Sequence, residues 1–110
     1  MTITILGSGT SLGVPMIACK CKVCRSSNPK DKRLRSSVLI QTNDKNIVID
    51  AGPDFRQQML SCQIPHLDAI LITHAHKDHT AGLDDVRAFN WINNTHANVY
   101  AEPPVIESIK

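Results

Sequence analysis

Three histidines and an aspartate lie within residues 74–79, inside the stretch ITHAHKDHTAGL (72–83). The stretch overlaps the end of LDAILIT (67–73), a nearly continuous aliphatic run that predicts a strand covered on both faces. A tight loop that leaves such a strand places His74 and His76 two positions apart, so that their rings can point the same way. Imidazole and carboxylate groups are ligands of borderline divalent metals. The stretch therefore predicts a metal site at the end of a buried strand.

Asp78 and His79 follow as the chain turns into the next helix, where they can face a second ion beside the first. Known two-metal sites hold their ions about 3.5–4 Å apart. Asp78 is the predicted catalytic residue, because it can also hydrogen-bond the water that the ions activate. The loop has no serine or cysteine beside a base, so metal-activated water has more support than a covalent nucleophile. The loop predicts hydrolysis at a pair of divalent ions, zinc or manganese.

A second metal site is predicted from Cys19, Cys21 and Cys24, which form a C-x-C-x-x-C cluster. Three thiolates at this spacing can wrap one tetrahedral zinc ion, and basic neighbours help to stabilise them. Cytosolic cysteines are kept reduced, so in that compartment the cluster favours a metal over disulfides. Cys62, on the apolar face of a predicted helix, is expected to be a small buried hydrophobic residue.

The N-terminal sequence and the distribution of charge indicate where the protein is located and what it can bind. MTITILGSGT lacks the features of a secretory signal, and no stretch approaches about 18 apolar residues, so we expect a cytoplasmic protein with no membrane partner. The net charge of +2 is slight, but residues 20–35 hold seven of the 12 basic residues against one acidic residue. This local charge of +6 could attract a phosphorylated substrate or an RNA backbone, although a charge run is usually solvated surface. A small phosphorylated substrate is expected; nucleic acid stays open without being favoured, and a homodimer stays open.

The rest of the sequence predicts a mixed α/β chain in which strands and helices alternate after an opening hairpin. The hairpin joins its strands across NDKN (43–46). The glycine loop GSGTSLG (7–13) is not a dinucleotide fingerprint, because its spacing is wrong and Val14 and Pro15 follow it instead of a helix. Strands are predicted at 2–7, 36–42, 46–50, 67–73 and 97–101, and helices from Pro53 to Pro65, at 82–93 and from 103 onwards.

Two motifs carry a resemblance. THAHKDH (73–79) is similar to the T-H-x-H-x-D-H signature of metallo-β-lactamase-fold hydrolases, and IVIDAG (47–52) is similar to that fold's strand ending in an Asp-x-Gly turn. The resemblance implies an α/β chain that forms the N-terminal part of a four-layer αββα metallo-β-lactamase fold. It also implies that Asp50 orients the metal loop through hydrogen bonds instead of binding metal. A helix N-cap is the other interpretation of Asp50.

The same resemblance implies that the remaining metal ligands, two histidines and a bridging aspartate, lie beyond residue 110. Residues 1–110 are then expected to be the N-terminal half of one domain, cut short, with an unpaired sheet edge exposed and with little activity alone.

Four longer segments resemble the branch that contains the phosphoribosyl cyclic phosphate phosphodiesterase of bacterial phosphonate breakdown. This implies a phosphodiesterase acting on small phosphate esters, cyclic ones included. It further implies a zinc-cluster insertion around 19–35, with a downstream histidine as the fourth ligand of the cysteine-bound zinc. The segments are GTSLGVPMIACKCKVC (9–24), DKRLRSSVLI (31–40), DAGPDFRQQML (50–60) and GLDDVRAFN (82–90).

Other members of the fold remain alternatives. A nuclease of the tRNA 3′-processing type shares THAHKDH and the glycine loop, but its pattern lacks the cysteine cluster. A metal-binding protein of coenzyme PQQ biosynthesis shares the cluster, but its relatives depart from the histidine motif that this sequence keeps. Thioester and lactam substrates are not excluded by the sequence.

Overall fold

One mixed five-stranded sheet organises the chain, and its strands lie side by side in the order of the sequence. The computed structural model describes all residues from 1 to 110. The first three strands pair antiparallel and the last three pair parallel. The strands are β1 (Thr2–Gly7), β2 (Ser37–Thr42), β3 (Lys45–Ile49), β4 (Ala69–Leu71) and β5 (Asn98–Tyr100), and the helices are α1 (Phe55–Cys62), α2 (Lys77–Thr80), α3 (Arg87–Asn93) and α4 (Pro103–Ile109). The predicted α/β class is confirmed.

The predicted hairpin is also confirmed. β2 and β3 pair from Val38 opposite Ile49 to Thr42 opposite Lys45. Asn43 and Asp44 form the turn, and both have left-handed backbone conformations, with φ of 49° and 62°. Two such residues make the tight turn whose twist matches that of a β-hairpin, and asparagine and aspartate tolerate the conformation better than other non-glycine residues.

The core lies between one face of the sheet and the helices. Leu39, Val48 and Ile70 occupy one row across β2, β3 and β4, and all three are almost completely buried. Phe55 and Met59 of α1 are buried in the same cluster, as their spacing in the sequence predicts. Cys62 is only half-buried and packs against this cluster. It therefore lies at the edge of the core, and is less buried than the small buried hydrophobic residue that the sequence predicted.

The opposite face of the sheet carries two rows of aliphatic residues with no helix of this chain against them. The prediction that the run 67–73 is covered on both faces was therefore wrong for this chain. The strand is also shorter, and Leu71 remains 37% exposed while Ile70 beside it is fully buried. The rows are Ile3–Ile40–Ile47–Ala69 and Ile5–Val38–Ile49–Leu71.

Two helices differ in extent from the prediction. α1 begins at Phe55 and ends before Gln63, whose left-handed conformation (φ 53°) lets its N–H bond the Met59 carbonyl. The helix thus ends at Cys62, three residues before Pro65, by a left-handed cap. The predicted helix 82–93 is split into a 3₁₀ turn (Leu83–Val86) followed by α3. None of the helices, of which the longest has eight residues, could cross a membrane.

The buried face of α1 should dominate the stability of this region. Replacing Phe55, which is 1% exposed, with alanine removes a whole ring from the core and should lower the free energy of unfolding by about 3–5 kcal/mol. Replacing Leu60 on the same helix, 59% exposed, should change it by only about 0.5 kcal/mol. Urea denaturation followed by circular dichroism measures both. Equal losses for the two variants would contradict the assigned core face.

Candidate metal centres

The histidines and the aspartate predicted to bind the catalytic metals lie at one end of the sheet. β1 ends at Gly7, β2 begins at Ser37 opposite it, and β3 and β4 end side by side at Ile49 and Leu71. The chain therefore leaves or enters four neighbouring strands at the same end of the sheet. The carboxyl ends of parallel strands are where ligands bind in open α/β sheets. We call residues 73–82, which follow β4 and include α2, the metal loop.

The metal loop brings its ligand atoms together. A nitrogen of His74, a nitrogen of His76 and a carboxylate oxygen of Asp78 all lie within 4.8 Å of one another. The His79 ring lies beside that of His74, with centroids 3.9 Å apart, and its Nε2 is 2.9 Å from Asp78 Oδ2. The Asp78 carboxylate is thus close both to the His74–His76 pair and to His79, so it can contribute to either of two ion positions.

Asp50 lies directly beneath the metal loop and ties three of its groups together. Its Oδ1 accepts the Thr73 N–H at 2.8 Å, and its Oδ2 accepts the Thr73 hydroxyl at 2.7 Å. The same Oδ2 is 2.6 Å from His79 Nδ1. Asp50 is buried and has a left-handed backbone conformation (φ 64°). Its side chain faces the loop and does not cap a helix, since the residue at the N-cap of α1 is Asp54.

This network fixes which nitrogen of each ring is free. The Thr73 hydroxyl gives its only hydrogen to Asp50, so at 3.0 Å from His74 Nδ1 it must accept a hydrogen from that ring. His79 Nδ1 is likewise the donor to the Asp50 carboxylate. Both rings therefore donate through Nδ1, which leaves Nε2 as the atom directed towards a metal, the arrangement in which protein groups usually hold metal-ligating histidines. In the absence of an ion, His79 Nε2 contacts Asp78 Oδ2 at 2.9 Å.

Backbone contacts hold the metal loop against the turn that follows β3. The Ala51 N–H donates to the His79 carbonyl at 2.9 Å, and the Gly82 N–H donates to the Ala51 carbonyl at 2.8 Å. A side chain at Gly52 would collide with the Asp78 carbonyl, and one at Gly82 would collide with the Gly52 carbonyl. The two glycines therefore allow the close approach of two backbones, and any larger residue would push the metal loop away.

The cysteine cluster lies in the long connection between β1 and β2, in a segment (residues 15–32) that we call the excursion. Val14 and Arg33 close it at its base through paired backbone hydrogen bonds of 2.9 and 2.7 Å. The sulfurs of Cys19, Cys21 and Cys24 lie within 4.8 Å of one another, as the spacing predicted. Their separation suits three ligands of one tetrahedral ion.

Backbone amides make the cluster favourable to negative charge. The pKa of Cys21 is lowered from 9.0 to about 7, first because the Cys24 N–H donates to its sulfur at 3.4 Å and then through hydrogen bonds with the Cys19 and Cys24 thiols. The pKa of Cys24 is raised. The Met16 N–H opposes this rise, but hydrogen bonds with the other two thiols and burial outweigh it. Without metal, negative charge is thus favoured on Cys21 over Cys24.

Residues 45–110, which include the metal loop and Asp50, match the family model of the Beta-lactamase superfamily domain. The chain belongs to this superfamily. Its sheet and helices form the N-terminal part of a metallo-β-lactamase fold, as predicted.

Solved structures of this fold resemble the chain over nearly all of its length. A diphosphatase from the PhnP family is 48% identical with a TM-score of 0.94, over 98% of this chain and 44% of that one. Zn²⁺-bound PqqB from Methylobacterium extorquens is 28% identical with a TM-score of 0.83, over 99% of this chain and 40% of that one. Human tRNase Z, short form, shares the fold at 21% identity and a TM-score of 0.71.

Among curated proteins, an octanoyltransferase from Porphyromonas gingivalis is 52% identical over the whole of this chain but over only 22% of its own length. Coenzyme PQQ synthesis protein B from Methylorubrum extorquens is 29% identical over 99% of this chain and 40% of its own. The chain therefore spans less than half of each of these metallo-β-lactamase-fold relatives and curated matches.

Sequence reasoning missed two features of the site. Thr73 was treated as the last residue of a strand, although its hydroxyl links His74 to Asp50. Its place inside the THAHKDH motif was the available signal. The ion pair between Arg35 and Asp54 was also missed. The two residues are 19 positions apart and Arg35 lies outside the predicted strand 36–42, so no local pattern could connect them.

Removing one acceptor of Asp50 should weaken metal binding without changing the fold. Asparagine tolerates the left-handed backbone, but its single carbonyl oxygen cannot replace both carboxylate oxygens. Asp50→Asn should lower the affinity for the first zinc ion by about 10- to 100-fold. Competition with a chromogenic chelator measures the affinity, and Asp84→Asn, an exposed carboxylate outside the loop's network, is the control. An unchanged affinity in Asp50→Asn would show that the contacts do not orient the ligands.

The lowered pKa of Cys21 predicts selective alkylation. In metal-free protein at pH 8, iodoacetamide should modify Cys21 before Cys24, because the thiolate is the reactive form and the pKa of Cys21 is lowered to about 7 whereas that of Cys24 is raised. Cys62 should react slowly since it packs against the core. The rate at Cys21 should fall as the pH drops below about 7. Peptide mass spectrometry measures each site; added zinc should protect all three clustered cysteines, and unprotected cysteines would argue against a common ion.

Proposed function

We propose that the intact protein is a metal-dependent phosphodiesterase that hydrolyses small phosphate esters, cyclic ones included. The observation that carries this proposal is the hydrogen-bond network in which Asp50 and Thr73 hold His74 and His79 with Nδ1 protonated. This network leaves the Nε2 atoms of both rings as the candidate ligand atoms, and that of His79 lies 2.9 Å from Asp78 Oδ2. A solvated loop has no need of such a fixed choice of tautomer.

The donor set fits two divalent ions. His74, His76 and His79 would supply imidazole nitrogens and Asp78 a carboxylate oxygen, which are ligands suited to zinc or manganese. Bound there, such a pair would supply Lewis acidity to a phosphoryl oxygen and a lowered pKa to water. Cys19, Cys21 and Cys24 would hold one further zinc ion with a structural role.

The residues of this chain would orient and restrain the reaction. Asp50 fixes the direction of His79 and, through Thr73, of His74. Asp78, only partly buried, is the carboxylate with access both to ligands and to solvent, where it can take a hydrogen bond from the attacking water. Gly52 and Gly82 keep the loop close to the sheet end, so that these groups converge.

A phosphate substrate is supported by two further observations. The PhnP-family structure, at 48% identity, is a diphosphatase, so its reaction is at phosphorus. Five basic residues lie on the excursion, which starts at the same end of the sheet as the metal loop; they are Lys20, Lys22, Arg25, Lys30 and Lys32. Their positive charge would favour an anionic ester over a neutral lactam or thioester.

The alternatives have weaker support. The PqqB likeness extends along the chain at 28% identity, and it favours zinc binding more than a particular reaction. The tRNase Z likeness is one of fold alone.

Hydrolysis of bis(p-nitrophenyl) phosphate by the full-length protein tests the proposal. Turnover should require added zinc or manganese and should fall by at least about 100-fold in Asp78→Ala, because this variant removes a ligand and the contact to water. Asp85→Ala, which alters a carboxylate outside the metal loop, should retain activity. Release of p-nitrophenol at 405 nm is the readout. Full activity of Asp78→Ala, or a metal-loaded wild-type protein without turnover, would refute the proposal.

A further inference from the structure

Arg35 lies two residues before β2 and is hydrogen-bonded to three residues elsewhere in the chain. Its Nη1 donates to Asp54 Oδ1 at 3.0 Å and its own N–H donates to Asp54 Oδ2 at 2.9 Å. Its Nε donates to the Ser11 carbonyl at 3.0 Å, and its carbonyl accepts a hydrogen bond from buried Gln58 at 2.9 Å. The side chains of Arg35 and Asp54 are only 27% and 15% exposed. This is a well-defined, partly buried ion pair, unlike the mobile pairs of an open surface.

The pair joins two loops that flank the sheet end. Asp54 lies two residues after Gly52, which packs against the Asp78 carbonyl of the metal loop. On the other side, the Ser11 carbonyl belongs to the glycine loop, of which residues 8–13 lie outside β1. The Gly9 N–H donates to the Leu34 carbonyl, and the Ser36 hydroxyl donates to the Gly9 carbonyl, on either side of Arg35. A continuous set of contacts therefore runs from the glycine loop through Arg35 and Asp54 to the metal loop.

The glycine loop has groups that are free to bind an anion. Ser8, Thr10 and Ser11 are exposed. The N–H groups of Thr10 and Ser11 have no acceptor within the chain, and neither do the hydroxyl groups of these two residues. The loop leaves β1 at the same sheet end as the metal loop leaves β4. Free amides and hydroxyls at this place suit the oxygens of a phosphate ester.

We propose that Arg35 and Asp54 are positioning residues that hold the glycine loop beside the metal loop, so that its free N–H and hydroxyl groups contact the substrate phosphate. The inference rests on the phosphodiesterase activity proposed above. The two residues act through the glycine loop and do not touch the reacting atoms. Their loss should raise KM and leave metal binding intact, because the ligands of the metal loop are held by Asp50 and by backbone contacts.

The chain offers a matched control at the opposite end of the sheet. Lys45 and Asp68 form an ion pair of 3.9 Å where β3 begins and just before β4, far from the metal loop. Removing Lys45 deletes one positive charge and one ion pair, as removing Arg35 does, but touches neither loop.

The experiment uses full-length protein and the variants Arg35→Gln, Asp54→Asn, Arg35→Lys and Lys45→Gln. Steady-state kinetics on bis(p-nitrophenyl) phosphate, metal content by mass spectrometry, and hydrogen exchange of residues 8–13 are measured for each. Arg35→Gln and Asp54→Asn should raise KM about tenfold or more, with full metal content and a smaller change in kcat. Exchange at residues 8–13 should become faster, while that at 74–82 is unchanged.

The other two variants separate the effect of geometry from that of charge and provide a control. Arg35→Lys keeps the charge but not the forked geometry, so its KM should be intermediate, and it tests the proposal even where Arg35→Gln fails to fold. Lys45→Gln should match the wild type. A lower melting temperature with unchanged KM and unchanged exchange at 8–13 would overturn the proposal, as would loss of metal from Arg35→Lys. A metal-loaded wild type without turnover would refute the phosphodiesterase, whereas the exchange data would still decide whether the pair holds the glycine loop.

Discussion

The carboxylate of Asp50 is the contact on which the candidate centre depends. It is buried at the end of β3 and accepts hydrogen bonds from the Thr73 backbone, the Thr73 hydroxyl and the His79 ring. A buried carboxylate is costly unless its oxygens are satisfied, and these donors satisfy it. The same bonds set the tautomers of two histidines. One interaction thus offsets the burial of a charge and arranges the ligand nitrogens.

The sheet makes this interaction possible. β3 and β4 run parallel and end together, so Asp50 and Thr73, which are 23 positions apart and joined through α1, reach hydrogen-bonding distance. Gly52 and Gly82 then let the backbone of the metal loop lie directly on the turn after β3. The membership of the Beta-lactamase superfamily fits this arrangement, since the matched region contains the sheet end and the loop together.

Much of this arrangement could be predicted from local sequence. The hairpin turn at Asn43 and Asp44, the buried face of α1 and the clustering of His74, His76 and Asp78 all follow from patterns within a few residues. Contacts between distant segments could not be predicted, since neither Arg35 nor Asp54 has a local sign of its partner. The exposure of Leu71 could not be predicted either, because an aliphatic strand has the same sequence pattern whether one or both of its faces are packed. The end of α1 at Gln63 was also missed, as glutamine is rarely the residue that takes a left-handed cap.

The two aliphatic rows on the open face of the sheet have a practical consequence. Ile3 and Ile5 on β1 are 60% and 62% exposed, and their rows continue across β2 and β3. A contiguous apolar surface of this kind drives association in water. When residues 1–110 are expressed by themselves, yield and solubility will report on this face and will say nothing about the metal loop at the sheet end. Polar substitutions at Ile3 and Ile5 would therefore improve the behaviour of the isolated chain in solution while leaving its metal ligands untouched.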